Sequence, residues 1–211
     1  MMVDQGRDDV GCTVVALPYR GRWVIGRNFD FEGGRIFDSE KIMKCVFPDE
    51  GYAFLSVIWA GMVGAVTGVN EHGLYVSINA AGSGDFRRIG TPSTLIVRRA
   101  LQFAKTADEA LEIFKNSQMF ITDIFVVSDR NTGKTYRIEK SPLHMEAIAI
   151  DKPVVVTNHL VSPHWEHDRI NSYRRLELTS QKRATRGQAL VEALAKNTFQ
   201  SSREASEGVL S

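Results

Sequence analysis

The strand-like and helix-like segments of this sequence come in blocks, and their order restricts the fold more than any other feature. Two short β-prone runs, 13–17 and 22–26, flank the loop PYRG, a pattern that predicts a β-hairpin. Further runs rich in Val, Ile and aromatic residues follow, with NEHG (70–73) as the turn between two of them. Two helix-like segments come next, the second opened by a capping box at Thr106 and Glu109.

The second half of the chain repeats this order. Strand-like runs lie in TDIFVVSDRNTGKTYRIEK, HMEAIAI and PVVVTNHL, and helical stretches follow at about 167–180 and 186–196. Blocks of this kind favour two antiparallel sheets with helices outside them over alternating βαβ units. The sequence therefore predicts a layered α+β fold.

Composition narrows the class of protein. The 211 residues include 43% apolar and 24% charged residues, as expected of one globular domain that buries a sizeable core. Lys and Arg total 26 against 25 acidic residues, without a basic run, so the footprint of a nucleic-acid binder is missing. No apolar run reaches the roughly 18 residues of a membrane span, and residues 1–11 lack the apolar centre of a secretory signal. We therefore expect a soluble, cytoplasmic protein.

Cysteine usage adds one constraint. The chain has two cysteines, Cys12 and Cys45, which are too few for a disulfide framework and lack C-x-x-C spacing. Two separate thiols are therefore favoured, although a single disulfide stays formally open. Taken alone, Cys12 fits a buried structural thiol, because free cysteine is among the most buried residue types.

The position of Cys12 suggests chemistry. It stands at the mouth of the predicted hairpin, whose far arm carries Arg27 and Asp30. If residues 1–11 were removed, Cys12 would carry both a thiol, of ordinary pKa about 8.5, and an α-amine, of about 7.7 to 8.0, so proton transfer between them would be nearly balanced. Arg27 could favour the thiolate, and Asp30 could orient the amine. Their i, i+3 spacing requires a turn or bulge to bring both to one side.

Four segments in order carry a family resemblance. GCT with GRNFDF, GVNEHGLYVSINAA, VVVTNHL and NSYRRLE are similar to segments of the choloylglycine hydrolase, penicillin V acylase and isopenicillin N acyltransferase group. That group belongs to the N-terminal nucleophile (Ntn) cysteine hydrolases. The resemblance extends from residue 11 to about 178 and implies an αββα sandwich. It also implies that the bond before Cys12 is processed and that Cys12 attacks an amide carbonyl.

The later segments imply further site residues. The resemblance assigns Asn79 to an oxyanion hole, together with Asn158, and it points to Arg175 as a supporting residue, with Arg174 as an alternative. An asparagine amide aimed at a developing oxyanion supplies about 3 to 4 kcal/mol in comparable sites. Asn70 is better explained as a turn residue.

The end of the chain departs from the family pattern. No strand pair is evident after residue 194, where the family returns to the sheet, so the sandwich is predicted to lack its last strands. A truncated chain, a separate chain that completes the sheet, and a shortened member of the family all fit this pattern. We divide the chain into a leader, 1–11, and an Ntn-hydrolase domain, 12–211.

These observations lead to three functional hypotheses. The first is an amidohydrolase that cleaves a linear C–N amide of an N-acylated small molecule through a thioester at Cys12. The second is an acyltransferase that uses the same thioester, and the third is a non-catalytic homologue that binds a ligand or partner, with homo-oligomerisation open. No cofactor or metal is expected. His159, His164 and His167 lack a matching third ligand segment, and His159 is expected to line a pocket.

Overall fold

The computed structural model describes residues 11–30 and 39–196. The predicted hairpin is present as β1 (Thr13–Tyr19) and β2 (Arg22–Asn28). Arg20 and Gly21 form its two-residue turn, both with positive φ (49° and 74°), as a type I′ turn requires. A third strand, β10 (Val154–Val156), pairs with the other edge of β1, so these strands form a small antiparallel sheet in the order β10-β1-β2.

The remaining strands form one antiparallel sheet of seven, whose spatial order follows the chain. They are β3 (Lys41–Val46), β4 (Phe54–Trp59), β5 (Thr67–Asn70), β6 (Leu74–Ala80), β7 (Asp123–Asp129), β8 (Thr135–Lys140) and β9 (Met145–Ala149). Sequential antiparallel pairing agrees with the strand blocks and the absence of βαβ spacing in the sequence.

Asn70 has the turn role predicted for it. Its side-chain oxygen accepts hydrogen bonds from the backbone N–H groups of His72 and Leu74, at 3.1 and 3.0 Å. Its amide donates to the carbonyls of Leu101 and Ala104, at 3.0 and 2.7 Å. One buried side chain thus shapes the β5–β6 turn and satisfies carbonyls at the end of the first helix.

Two helices, α1 (Ser93–Phe103) and α2 (Ala107–Asn116), cover one face of the large sheet. The Thr106 half of the capping box is confirmed, because Thr106 Oγ1 accepts from the Glu109 N–H at 3.2 Å. The Glu109 carboxylate accepts at 2.8 Å from the Lys105 N–H, one residue before the N-cap N–H that a full capping box uses. Apolar side chains of α1, α2 and strands β4 to β8 form the larger core between these layers.

The small sheet packs on the opposite face of the large sheet. Val14 and Val156 of the small sheet form a second core with Ile124 and Val126 of β7. Outside the small sheet lie α3 (Arg169–Leu176) and α4 (Ser180–Lys196), the latter in contact with β1 and β10. The layers are therefore helices, large sheet, small sheet and helices, which confirms the predicted αββα arrangement.

Helix boundaries differ from the sequence expectation mainly at α4. The helix begins at Ser180 and not at 186, because Ser180 lies against the loop after β10, where its hydroxyl accepts from the Asn158 N–H at 2.9 Å. Residues 1–10 of the leader and residues 197–211, which make up most of the segment predicted to lack strands, lie outside the described residues. The three-strand count of the small sheet therefore applies only to the described part of the chain.

Candidate active site

Cys12 lies immediately before β1 and is 3% exposed. Both cysteines are free, as predicted, and Cys45 is exposed on the edge strand β3. Gly11 precedes Cys12 in a confined space, because an ideal Cβ placed on it would lie 2.6 Å from Asn158 Oδ1 and against the Arg183 guanidinium. With Gly11 attached, the nitrogen of Cys12 is part of a peptide bond.

Arg27 is brought to the cysteine by the hairpin register. Val14 pairs with Arg27 across β1 and β2, and Arg27 Nη2 lies 3.9 Å from Cys12 Sγ. The guanidinium also donates to the carbonyls of Val66, at 3.1 Å, and Ile78. The predicted proximity of Arg27 and Cys12 therefore exists in the structure, at the end of the large sheet where β5 begins and β6 ends.

An aromatic pair supports Arg27 from the other side. The guanidinium carbon lies 4.4 Å from the Phe29 ring centroid, and Phe29 packs on Trp59 with centroids 5.2 Å apart. Met62 and Trp59 both pack against the larger core, and Phe54 is buried within it. These contacts fix the Arg27 side chain beside the sulfur.

Asp30 lies just after β2 and is exposed. Its carboxylate accepts from the Asn28 side-chain amide at 2.7 Å, and its charge acts on Arg183. The predicted role of Asp30, to orient a free amine on Cys12, stays a prediction, because that amine exists only after the preceding bond is cleaved.

The two predicted oxyanion asparagines both lie at the junction of the two sheets. Asn79 is 1% exposed and donates its amide to the carbonyls of Val156 and Thr157, each at 3.1 Å. Its Oδ1 is buried without a hydrogen-bond partner among the described residues. Asn158 donates to the Ala80 carbonyl at 2.8 Å, and its second amide hydrogen has no acceptor among the described residues.

The structure distinguishes the two arginines of α3. The charge of Arg174 interacts with Cys12 and with Asp123, whereas Arg175 acts on His159, and its Nε is buried without a partner in the described part of the chain. The electrostatic interaction with Cys12 thus favours the alternative, Arg174, over Arg175 as the α3 residue that acts on the cysteine. A role for Arg175 stays a prediction.

Arg183 is a site residue that the sequence analysis missed. From α4 it donates Nη1 to the Cys12 carbonyl and to Thr13 Oγ1, both at 2.8 Å, and Nη2 to Asn158 Oδ1 at 2.9 Å. Arg183 therefore connects Cys12 to Asn158, one of the two predicted oxyanion residues. Its position in QKRATRG carries no motif that would have revealed this role.

Asp123 was also missed. It is 3% exposed at the start of β7, where it accepts hydrogen bonds from the Ser93 hydroxyl and from the Ala81 backbone. Burial raises its pKa to about 7, partly offset by those hydrogen bonds and by the charge of Arg174. In the sequence, Asp123 only begins an apolar strand run.

Three arginines therefore interact electrostatically with Cys12, and one of them, Arg27, contacts the sulfur. Burial lowers the pKa of Arg27, Arg174 and Arg183, and for each of them the charge of Cys12 opposes that effect. Cations held in a partly desolvated cluster favour a negative charge at the sulfur or at an adjacent oxygen. This arrangement can support a thiolate nucleophile.

The histidines take other positions. His159 Nδ1 lies 3.1 Å from Thr157 Oγ1 and 2.8 Å from Ser180 Oγ, and the ring borders a groove between β9, β10 and α4. His164 stacks on His144 with centroids 3.8 Å apart. Within residues 11–30 and 39–196, no three Cys, His, Asp or Glu side chains are grouped as metal ligands. None of the helices in those ranges has the length and apolar composition of a bilayer span.

Comparison with known proteins agrees with this architecture. Four layers with a cysteine ahead of the first strand of the small sheet define the class of Ntn hydrolases. Residues 19–211 match the family described as acyl-coenzyme A:6-aminopenicillanic acid acyl-transferase, and the chain belongs to that family. The match begins after Cys12. Membership of this family confirms the resemblance recognised in the sequence.

Two solved structures share the fold. The N-acylethanolamine-hydrolyzing acid amidase ortholog of Caenorhabditis elegans has a TM-score of 0.66 at 18% identity, covering 95% of this chain and 86% of that one. A variant of the conjugated bile acid hydrolase from Clostridium perfringens has a TM-score of 0.53 at 16% identity, covering 73% of this chain and 55% of that one. At these identities the likeness concerns the fold.

A curated relative matches a shorter segment. An uncharacterised protein of Archaeoglobus fulgidus is 25% identical over 111 residues, which are 52% of this chain. The match spans only 18% of that relative's length. The family description names acyl transfer, one of the two chemistries predicted from the sequence.

Proposed function

We propose that this protein is an Ntn amidohydrolase that cleaves the C–N amide of an N-acylated small molecule, with Cys12 as the nucleophile. The observation that carries this proposal is the cluster around Cys12, in which Arg27 Nη2 lies 3.9 Å from the sulfur and Arg183 holds the Cys12 carbonyl at 2.8 Å. A buried structural thiol requires only apolar neighbours, not a cluster of half-buried cations.

Activation comes first in the proposed sequence of events. Cys12 Sγ attacks the Gly11 carbonyl carbon, the bond from that carbon to the Cys12 nitrogen breaks, and water hydrolyses the resulting thioester. Residues 1–11 leave, and Cys12 gains a free α-amine. The tight space at Gly11 supports this step, because the peptide before Cys12 is fixed against Asn158 and Arg183.

The mature site then acts on an amide substrate. The Cys12 amine accepts the thiol proton, the sulfur attacks the substrate carbonyl carbon, and the amine returns that proton to the leaving nitrogen as the C–N bond breaks. Water then attacks the thioester and releases the acid. Asp30 is assigned to orient the amine and Arg27 to stabilise the thiolate.

Oxyanion stabilisation is assigned to Asn158 first. Its second amide hydrogen is available, and its Oδ1 is held by Arg183, so the amide plane is fixed before substrate binds. The Asn79 side-chain amide donates to the carbonyls of Val156, the last residue of β10, and of Thr157, which follows it. Asn79 therefore contributes to an oxyanion hole only if those contacts change after cleavage.

An acyltransferase is the second candidate, and the description of the family favours it. It would use the same thioester but pass the acyl group to an amine in place of water. The two candidates differ in their products. Only a transferase gives an acylated product in proportion to an added amine.

The first test combines intact mass, N-terminal sequencing and thiol alkylation. We expect a mature chain that begins at Cys12 and in which Cys12 reacts faster with iodoacetamide than Cys45. Cys45→Ser is the matched control, since it removes the exposed thiol and should leave processing intact. Cys12→Ala should keep residues 1–11.

The second test measures turnover of N-acyl amines that differ in acyl length, with and without a primary amine acceptor. Hydroxylamine trapping should recover the acyl group from the thioester in the Cys45→Ser variant but not in Cys12→Ala. A fully processed, correctly folded protein that forms no acyl-enzyme with any substrate would overturn the amidohydrolase and the transferase together.

A further inference from the structure

We propose that a second, non-catalytic site on this protein binds a phosphate group at Lys140. The observation is a cavity of about 320 Å³ beside the ends of α2 and β8, which is lined by Arg87, Lys115 and Lys140. It shares no residue with the Cys12 cluster. The proposal therefore does not depend on the proposed function.

Lys140 is unusual because it is buried and unpaired. It is 7% exposed at the end of β8, yet none of its described contacts is an ion pair or a side-chain hydrogen bond. Burial lowers its pKa, and no neighbouring charge opposes that effect. The side chain is therefore largely covered while its ammonium group opens to the cavity, and a cation held in this way is normally paired with an anion.

The nearest acidic residue by register does not neutralise Lys140. Asp123 stands opposite Lys140 in the β7–β8 pairing, but its carboxylate is occupied by the Ser93 hydroxyl and the Ala81 backbone and lies in the field of Arg174. On the other side, Lys140 pairs in register with Met145, which carries no charge.

The cavity walls add cations and donors but no acid. No carboxylate is among its described lining residues, which include His144, Gln118 and Asn116 beside the three cations. In the described part of the chain, the one ion pair of Lys115 is an exposed contact with Glu112 at 3.7 Å, and His144 contacts Glu146 at 2.8 Å outside the cavity. Exposed ion pairs of this kind are weak, so the charge of Lys115 remains available.

The loop that carries Arg87 is held in place. The Arg87 N–H donates to the Phe120 carbonyl at 3.3 Å, and the Thr91 N–H donates to the Gln118 carbonyl at 2.7 Å. Gly90 lies against the backbone of Met119 and Phe120, where a Cβ would approach within 2.5 Å. Arg87 is thus presented at the cavity on a braced loop, and a fork of guanidinium donors suits phosphate oxygens.

Three cations in a solvent-open cavity fit a phosphate dianion better than a single carboxylate. The phosphate could belong to a small solute or to a lipid headgroup. Three apolar side chains near the cavity, Phe86, Ile89 and Leu143, are 66%, 81% and 63% exposed. They favour a lipid headgroup, because exposed apolar side chains can enter the surface of a bilayer.

The test measures thermal unfolding of the full chain in inorganic phosphate, with ionic strength held constant by chloride. We expect a saturable rise in melting temperature, as for any ligand that binds only the folded state. Lys140→Met should be more stable than wild type without phosphate and should lose the rise. Lys44→Met, which removes an exposed lysine on β3, should behave as wild type.

Arg87→Gln provides a variant that keeps the buried lysine. It should weaken phosphate binding about tenfold, the effect of losing one charge-assisted contact. Cosedimentation with phosphatidylglycerol vesicles, against phosphatidylcholine vesicles, separates the two sources. Binding only to anionic vesicles assigns a headgroup, and a saturable response to free phosphate assigns a solute. The proposal fails if neither probe binds, or if Lys140→Met binds as wild type does.

Discussion

Arg27 and Arg137 are both desolvated arginines, yet their surroundings differ. Arg137 donates Nε to Glu139 at 2.7 Å and Nη2 to the His159 carbonyl, and Glu139 is fully buried. The Glu139 carboxylate also accepts from the N–H groups of Val161 and Ser162, at 2.8 and 3.0 Å. Arg27 faces backbone carbonyls and a thiol in place of a carboxylate, and its Nε has no partner in the described structure.

The difference indicates a structural role for the charge of Arg137 and a functional role for the charge of Arg27. The Arg137–Glu139 pair is neutralised internally and braces the loop after β10. The charge of Arg27 has no carboxylate partner among its described contacts, so it remains available to the sulfur. A buried cation without an acid is costly for folding, and an active site is where such a cost is retained.

The largest expected effect concerns the Arg137 pair. Glu139→Ala leaves the Arg137 charge buried and unpaired, so we expect a loss of about 3 to 5 kcal/mol in the free energy of unfolding, measured with urea. Glu146→Ala, which breaks a partly exposed contact with His144, should cost below about 1 kcal/mol. Equal losses in both variants would show that the Arg137 pair is not structural.

Substitution of Arg27 should affect the acylation rate more than the free energy of unfolding. Arg27→Met removes the cation beside Cys12, so we expect about a 10²- to 10³-fold lower acylation rate, as for one electrostatic donor in an active site. The free energy of unfolding should change by about 1 kcal/mol, since the lost contacts are with carbonyls, the Phe29 ring and a thiol and not with a buried carboxylate. Arg22→Met, an exposed arginine on the same strand, is the control. A large stability loss with unchanged acylation would reverse the assignment.

The two regions should also respond to pH with opposite sign. On the Cys12 side, the folded pKa of Asp123, about 7, exceeds its unfolded value of about 3.9. The folded state therefore keeps a proton that the unfolded chain releases, and this stability is lost as pH rises from about 4 to 7, by up to about 4 kcal/mol. Asp123→Asn should flatten that slope in urea titrations. Asp151→Asn, on the surface, should leave it unchanged.

On the Arg137 side, His159 should make a smaller contribution, of opposite sign, to the pH dependence of stability. Burial lowers the pKa of His159 to about 4, and the charge of Arg137 adds to that effect. The unfolded chain binds the proton at higher pH, so stability is lost as pH falls from about 6.5 to 4. His159→Gln should reduce this loss. His167→Gln, an exposed histidine, should not, and an identical acid response in all three proteins would contradict the assignment.

Local patterns predicted the parts of the fold that depend on near neighbours in sequence. The hairpin loop fixed the register that places Arg27 beside Cys12, and Asn70 and Thr106 followed from turn and capping chemistry. The αββα layers followed from the block order of the segments together with the family resemblance.

Residues that depend on packing between distant segments were missed. Arg183 lies 171 positions from the Cys12 carbonyl that it holds, and its role depends on how α4 packs on the small sheet. Arg137 and Glu139 alternate along TYRIEK in the way expected of a half-exposed strand, yet both are buried. Alternation shows that residues share a face but not what covers that face.

The narrow space at Gly11 has a consequence for protein engineering. An alanine there would press on Asn158 Oδ1 and the Arg183 guanidinium, and so would disturb the grip on the Cys12 carbonyl. A library of fusion partners joined ahead of Cys12 and selected for release of the partner should therefore return glycine at the junction, which would make this position a compact recognition element for a self-removing tag.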